Sequence, residues 1–165
     1  MRVGFAKYFT PGHFEDHYLC QYWHEVENRW IIVDAQLDDF QRKALSIQFD
    51  PCDVPEGLFL PGGKAWQICR EGQADPESFG IFNIKGMWFI GCDLVFDAMS
   101  LNKIESHPWD IWPMIPKYQQ TVFTKDYLTD MDDIAAITGG LDPGFAELRL
   151  LYQTQKTLQP PKNWK

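Results

Sequence analysis

Two β-prone runs separated by a short polar turn constrain the fold of this chain more than any other feature. Residues 14–23 are rich in aromatic side chains, and residues 29–35 contain three β-branched residues in succession. Both compositions are typical of strands. The intervening residues, 24–28, are polar enough for a turn. The pattern therefore predicts an antiparallel β-hairpin, and with it a sheet near the start of the chain.

A histidine and an aspartate fall on the two predicted strands. If the turn is centred between Glu25 and Val26, His17 lies directly opposite Asp34. Cross-strand neighbours have Cβ atoms about 4.5–5.5 Å apart, which suits a hydrogen bond between imidazole and carboxylate. This register is an assumption, because a slip of one residue would put the two side chains on opposite faces. The pair fits two roles: a catalytic imidazole oriented by its carboxylate, or a purely structural contact.

Three stretches of the chain resemble the transglutaminase-like superfamily, a branch of the papain-like thiol enzymes. Members have a strand ending in a Gly-Phe-like pair, a histidine at the head of the next strand, and an aspartate near the end of a Trp-Val-x-Val-Asp strand. His17 and Asp34 match the family's catalytic histidine and aspartate. The matching stretches are residues 2–5, 15–23 and 29–36. Three further segments resemble a bacterial subgroup of the family that has a long C-terminal tail: residues 65–70, 101–105 and 108–110.

The resemblance implies an α+β fold, with an antiparallel β-sheet core of transglutaminase-like type followed by a mostly helical C-terminal part. It also implies acyl transfer or amide hydrolysis through a thioester, with His17 as general base and acid and Asp34 as its orienting partner. The family's nucleophilic cysteine lies on a helix upstream of the first strand, whereas here Met1 leads directly into that strand. We therefore expect the nucleophile on a missing N-terminal segment or a separate chain, and an inactive isolated chain.

None of the four cysteines stands out as the nucleophile. They are Cys20, Cys52, Cys69 and Cys92. The first lies three residues after His17 on the same strand, so we expect its side chain on the opposite face, in the core. The second lies in a proline-containing loop that would permit reactivity, and the third lies on the apolar side of a predicted helix. Cys92 precedes a helix predicted to begin at Leu94, and a helix N-terminus lowers a thiol pKa, but Asp93 adds negative charge there.

The length and composition of the chain fit one domain with a packed core. It has 165 residues, of which 45% are hydrophobic. We assign residues 1–36 to the β core that carries the His–Asp pair, 37–158 to a helical and loop extension, and 159–165 to a frayed tail. The predicted elements are a first strand at 2–9, helices at 38–45, 63–71, 94–105, 125–137 and 143–152, an extended segment at 81–90, and an irregular aromatic loop at 107–116.

The charge of the chain argues against several classes of partner. A net charge of −8 disfavours general binding to nucleic-acid phosphates or anionic membranes. The sequence has no run of about 18 apolar residues that would predict a membrane-spanning helix. It also has no metal-ligand spacing, so we expect neither a metal nor a cofactor. Without a signal-peptide pattern, the sequence favours a cytoplasmic protein with reduced thiols.

Two functional hypotheses remain open at this stage. The first is a partial transglutaminase-like domain that acts on an unknown protein, peptide or small amide substrate when a thiol is supplied. The second is a complete, non-catalytic binding or scaffold module in which the His–Asp pair is a structural remnant. Loss of the upstream helices would expose apolar surface, so we also predict a homodimer.

Overall fold

The computed structural model describes residues 1–107 and 110–159. Residues 160–165 of the predicted tail and residues 108 and 109 of the predicted aromatic loop lie outside the described residues. Strands and helices in the described part confirm the α+β class. The strands are β1 (Arg2–Ala6), β2 (Phe14–His24), β3 (Arg29–Val33), β4 (Phe59–Pro61), β5 (Phe79–Ile81) and β6 (Ile84–Lys85). The helices are α1 (Asp39–Ala44), α2 (Gly62–Arg70), α3 (Met87–Leu101), α4 (Lys125–Thr138) and α5 (Phe145–Thr154).

One mixed sheet runs through the molecule in the order β4–β1–β2–β5–β6, and β3 pairs with the second half of β2. The pair β2–β5 is parallel, so the prediction of a purely antiparallel sheet is wrong at this pair. Its register places Phe14 beside Phe79, and their rings stack with centroids 4.2 Å apart. Three of the strands, β4, β5 and β6, lie in the region 37–158, where the sequence predicted helices and loops apart from the extended segment at 81–90.

The β2–β3 hairpin forms, but its register differs from the predicted one. Trp23 pairs with Trp30, two positions beyond the expected partner Asn28. The turn occupies residues 25–28, with Asn28 in the left-handed region at a φ of 50°. The two tryptophan rings meet edge to face at 5.5 Å, and such aromatic cross-strand pairs stabilise a register. Because the offset is an even number of residues, the side chains keep their predicted faces.

Helix α3 lies at the centre of the core and is buried from Trp88 to Met99. The predictions of an extended segment up to residue 90 and of a helix start at Leu94 are both wrong, since the helix begins at Met87. Residues 87–96 are almost entirely apolar, so their hydrophobic pattern has no period that distinguishes helix from strand. Gly86 precedes the helix with a φ of 96°, a conformation that glycine adopts readily.

A buried arginine ties the start of the sheet to the helices. The guanidinium of Arg2 is fully buried and makes a bidentate ion pair with Asp97 of α3, at 2.8 and 2.9 Å. Its remaining N–H groups donate to the side-chain oxygen of Gln21 and to the carbonyl oxygens of Thr138 and Gly140. Every donor of the guanidinium therefore has a partner, as a buried charge requires.

The loop between α1 and β4, residues 45–58, packs against the face of the sheet opposite α3. We call this segment the covering loop. Its backbone runs beside β3, where the N–H of Val54 donates to the carbonyl of Ile32 at 2.9 Å. A second apolar cluster forms here from Leu19, Ile32, Val54 and Phe59. Alternate residues of β2 point to this side, and His17 lies on the same face as Leu19. The candidate site therefore lies between the sheet and this loop.

Candidate functional site

The imidazole of His17 and the carboxylate of Asp34 meet, with Nε2 2.8 Å from Oδ2. The predicted contact is present, but its geometry is diagonal rather than directly opposed. In the observed register, Asp34 follows the end of β3 and would face Leu19, two residues along β2 from His17. Diagonal neighbours on one face remain within reach of long side chains. The observed pairing differs from the predicted one by two positions, so both side chains stay on the same face of the sheet. The predicted contact therefore forms even though the predicted pairing is wrong.

Backbone contacts hold Asp34 in place beyond the end of β3. Its N–H donates to the carbonyl of Pro51 at 2.8 Å, which joins it to the covering loop. Its Oδ1 accepts the N–H of Gln36 at 3.0 Å, a side-chain-to-backbone bond typical of aspartate in a tight turn. The carboxylate is fully buried, so its orientation is set by these contacts and by its side-chain partners.

A third side chain, that of Tyr8, completes the site and was not predicted from the sequence. Its hydroxyl donates to Oδ2 of Asp34 at 2.7 Å, the same oxygen that His17 meets. Tyr8 lies just beyond β1, within the segment predicted as strand 2–9. Period-two alternation from Gly4, which pairs with His17, would have placed Tyr8 on the face of the histidine. That alternation was the only available signal, because Asp34, the partner of the hydroxyl, is 26 residues away in sequence.

Asp34 is the charged member of the site. Burial raises the pKa of this carboxyl, but hydrogen bonds from His17 and Tyr8 outweigh burial and bring the pKa below its ordinary value. Asp34 is therefore an acceptor at neutral pH, and the neutral imidazole must carry its proton on Nε2. Burial and the bond to Asp34 raise the pKa of Tyr8, which keeps its hydroxyl a donor.

The unprotonated nitrogen of the imidazole, Nδ1, is available to accept a proton. No described residue makes a hydrogen bond to Nδ1 of His17. His17 is 8% exposed, and its ring is flanked edge to face by Phe9, with centroids 4.9 Å apart. An imidazole in this state can accept a proton at Nδ1, and the carboxylate beyond Nε2 stabilises the imidazolium that results.

The structure disfavours the buried cysteines as nucleophiles. Cys92 lies well inside α3 rather than before a helix, so the predicted helix N-terminus does not act on it. Burial, and then the charge of Asp93, raises the pKa of the Cys92 thiol. Burial likewise raises the pKa of Cys69 to about 12. Both thiols are thus protonated and inert at neutral pH.

The two remaining cysteines are exposed. Cys20 was expected in the core, and that expectation is wrong because it lies on the largely exposed second half of β2. Cys52 is exposed in the covering loop, next to the residue whose carbonyl bonds Asp34. Neither thiol makes a hydrogen bond to His17 in the part of the chain that the structure describes.

A second pair of titratable groups lies on the opposite face of β2. Asp16 points toward α3, where burial raises its pKa to about 6 and raises the pKa of Asp93 well above the ordinary value. One carboxyl oxygen of each is buried without a partner among the described atoms. A proton shared by the two carboxyls would give each of these oxygens a hydrogen-bond partner.

Comparisons of the chain with protein-family models, with curated proteins and with solved structures found no match. Across residues 1–107 and 110–159, no group of three His, Cys, Asp or Glu side chains could hold a metal ion. None of the helices described here has the length and apolarity to cross a membrane. The site is therefore interpreted from its own geometry.

Proposed function

We propose that this chain is part of a transglutaminase-like thiol unit, in which His17 and Asp34 are the acid–base pair for acyl transfer or amide hydrolysis. The observation that carries the proposal is the 2.8 Å bond between Nε2 and an ionised, buried carboxylate. The order of the two residues on consecutive strands, and the surrounding motifs, support the same family.

The chemistry follows from the protonation state of the pair. Nδ1 of His17 takes the proton of a cysteine thiol, and the thiolate attacks the carbonyl carbon of an amide. The tetrahedral intermediate expels the amine, which leaves with the proton from Nδ1, and a thioester remains. Water or a second amine then gives a proton to Nδ1 as it attacks the thioester, and the thiol is restored. Asp34 holds the ring in one tautomer and stabilises the imidazolium in both steps.

We place the nucleophilic thiol outside the four cysteines of the chain, on another segment of the native protein or on a partner chain. Two of the four are buried with raised pKa values. Cys20 points away from the face that carries His17. Cys52 is exposed, and no helix begins beside it in the part of the chain that the structure describes, whereas a helix N-terminus is one of the features that make a thiol reactive.

The composition of the native species tests this placement. The chain is isolated together with its natural partners, in the absence of reductant and denaturant. Its intact mass is then compared with 19.2 kDa. A heavier chain or a bound partner that contributes a further cysteine is the expected result. A native species of that mass alone, with no associated chain, contradicts the proposal.

One observation favours the second hypothesis, a non-catalytic binding module. Only 8% of His17 is exposed, and the Phe9 ring lies against it, as expected of a structural pair. If this hypothesis holds, the native species is the chain alone, and we propose a homodimer. A monomer at micromolar concentration in light scattering counts against that dimer. Under either hypothesis we propose a cytoplasmic location, which the four free thiols support.

A further inference from the structure

Two donors converge on one oxygen of the Asp34 carboxylate. Nε2 of His17 lies 2.8 Å from Oδ2, and the hydroxyl of Tyr8 lies 2.7 Å from the same atom. The N–H of Gln36 occupies Oδ1 at 3.0 Å. These donors come from β2, from the segment after β1 and from the turn after β3, so the carboxylate cannot rotate without losing at least one bond.

The Tyr8 hydroxyl is itself held in position. Its ring packs against Phe9, with centroids 4.7 Å apart, and against Phe49 of the covering loop at 5.1 Å. Aromatic contacts of this kind fix a ring on two sides. Because burial keeps the hydroxyl protonated, Tyr8 supplies a donor of fixed location rather than a mobile polar group.

We propose that Tyr8 is a positioning residue of this site. Its hydroxyl holds Oδ2 of Asp34 where Nε2 of His17 meets it, so that the ring keeps its proton on Nε2 and leaves Nδ1 to exchange protons with the thiol. The role of Nδ1 rests on the proposed function, whereas the positioning of the carboxylate does not.

The second donor also affects where the proton resides when the ring is charged. A hydrogen bond from Tyr8 spreads the negative charge of Oδ2 and makes the carboxylate a weaker base. Asp34 then stabilises the imidazolium without taking its proton, which is the behaviour required of the carboxylate in a triad. The hydroxyl therefore favours the ion pair over the neutral pair of carboxylic acid and imidazole.

The substitution Tyr8→Phe tests this role, because it keeps the ring and its packing and removes only the hydroxyl. The isolated chain is labelled with 13C and 15N, and NMR follows the Asp34 carboxyl carbon through a pH titration and the His17 ring nitrogens at neutral pH. We expect the Asp34 midpoint to rise by about one pH unit, the loss expected for one charge-assisted hydrogen bond. We also expect the Nε2–H signal of His17 to exchange faster with water.

The matched control is Tyr22→Phe, which removes a hydroxyl from an exposed tyrosine of β2 and should change neither signal. A folded Tyr8→Phe variant with an unchanged Asp34 titration and an unchanged His17 signal overturns the proposal.

A measurement on the unaltered chain covers the case in which Tyr8→Phe does not fold. The hydroxyl proton of Tyr8 should exchange slowly and show cross-relaxation with the Nε2–H of His17, since both protons point at the same oxygen, Oδ2 of Asp34. Absence of that cross-relaxation overturns the proposal equally. Neither measurement involves the thiol, so the positioning role can fail while the proposed function stands, and the reverse.

Discussion

At the scale of single residues, Asp34 determines what the neighbouring histidine can do. Its carboxylate fixes the tautomer of His17 and accepts a hydrogen bond from the Tyr8 hydroxyl. It also accepts the backbone N–H of Gln36, which closes a turn. The bonds from His17 and Tyr8 are buried or partly buried, and neither donor has an alternative acceptor among its described hydrogen bonds. The bonds that orient the His17–Asp34 pair therefore also stabilise the fold locally.

Removing the Asp34 carboxylate should destabilise the protein. The substitution Asp34→Ala leaves the ring N–H of His17 and the hydroxyl of Tyr8 without an acceptor, and we expect a loss of about 3 kcal/mol in the free energy of unfolding at neutral pH. Urea denaturation measures it. Asp39→Ala is the control, because that side chain is fully exposed on α1, and it should have little effect. A loss no larger than that of the control would show that the three bonds contribute little.

The carboxyl pair Asp16–Asp93 predicts a pH dependence of stability. Both pKa values are raised on folding, so the folded protein binds more protons than the unfolded chain. The free energy of unfolding should therefore fall as the pH rises from about 4, the ordinary value of the group. The fall continues through about 6 for Asp16 and further for Asp93.

The substitution Asp93→Asn should remove most of this dependence, because an amide N–H can donate to Asp16 without a bound proton. We expect the variant to exceed the unaltered chain by about 1–3 kcal/mol at alkaline pH and to differ little in mild acid. Thermal or urea unfolding across the pH range checks it. Asp126→Asn, at an exposed position of α4, serves as the control. Parallel curves for Asp93→Asn and the unaltered chain would show that the two carboxyls do not share a proton.

At the scale of elements, the sequence predicted most where local signals were strong. The helices predicted at 38–45 and 125–137 form close to those bounds, and Asp38 and Thr124 each accept a backbone N–H as the N-cap. The β2–β3 hairpin was also predicted correctly, because its aromatic and β-branched residues are a strong local signal for strands. Its register was missed by two residues, because the turn and the Trp23–Trp30 pair, rather than the centre of the polar segment, set the pairing.

The errors lie where only tertiary contacts decide. The start of α3 was missed because an apolar run has no period, and the parallel β2–β5 pair joins strands far apart in sequence. Within the site, His17 and Asp34 could be predicted from adjacent strands, whereas Tyr8 could not. The Asp16–Asp93 pair and the Arg2–Asp97 ion pair likewise depend on how α3 docks on the sheet.

The Arg2–Asp97 ion pair is the clearest test of that docking. Arg2→Met leaves the Asp97 carboxylate buried without its partner, and we expect a loss of about 3–5 kcal/mol in the free energy of unfolding. The double variant with Asp97→Leu should recover part of the loss, which a double-mutant cycle by urea denaturation would measure. Arg29→Met, in an exposed ion pair with Asp53, should change stability much less. Equal effects of the two arginine variants would contradict a structural role for the buried pair.

At the scale of the whole molecule, the sheet separates the main hydrophobic core from the candidate site. Helices α2, α3 and α4 build the main core on one face, and the loop before β4 encloses the His17–Asp34–Tyr8 site on the other. The candidate chemistry thus lies on a rigid sheet, as a site that must hold a precise geometry requires. The main core supports that site through β2, which carries both His17 and Asp16.

The rate of thiol alkylation in the native species tests the acid–base role of His17 most directly. Limiting iodoacetamide is added to the species isolated from its natural source, and the modified cysteine is identified by mass spectrometry. We expect one fast-reacting thiol, distinct from Cys20, Cys52, Cys69 and Cys92, whose reactivity is lost in His17→Ala and kept in His24→Ala. If no thiol has a reactivity that depends on His17, the acid–base role of His17 is contradicted. If the fast thiol is Cys52, the acid–base role of His17 is supported, and the placement of the nucleophile outside the four cysteines is contradicted.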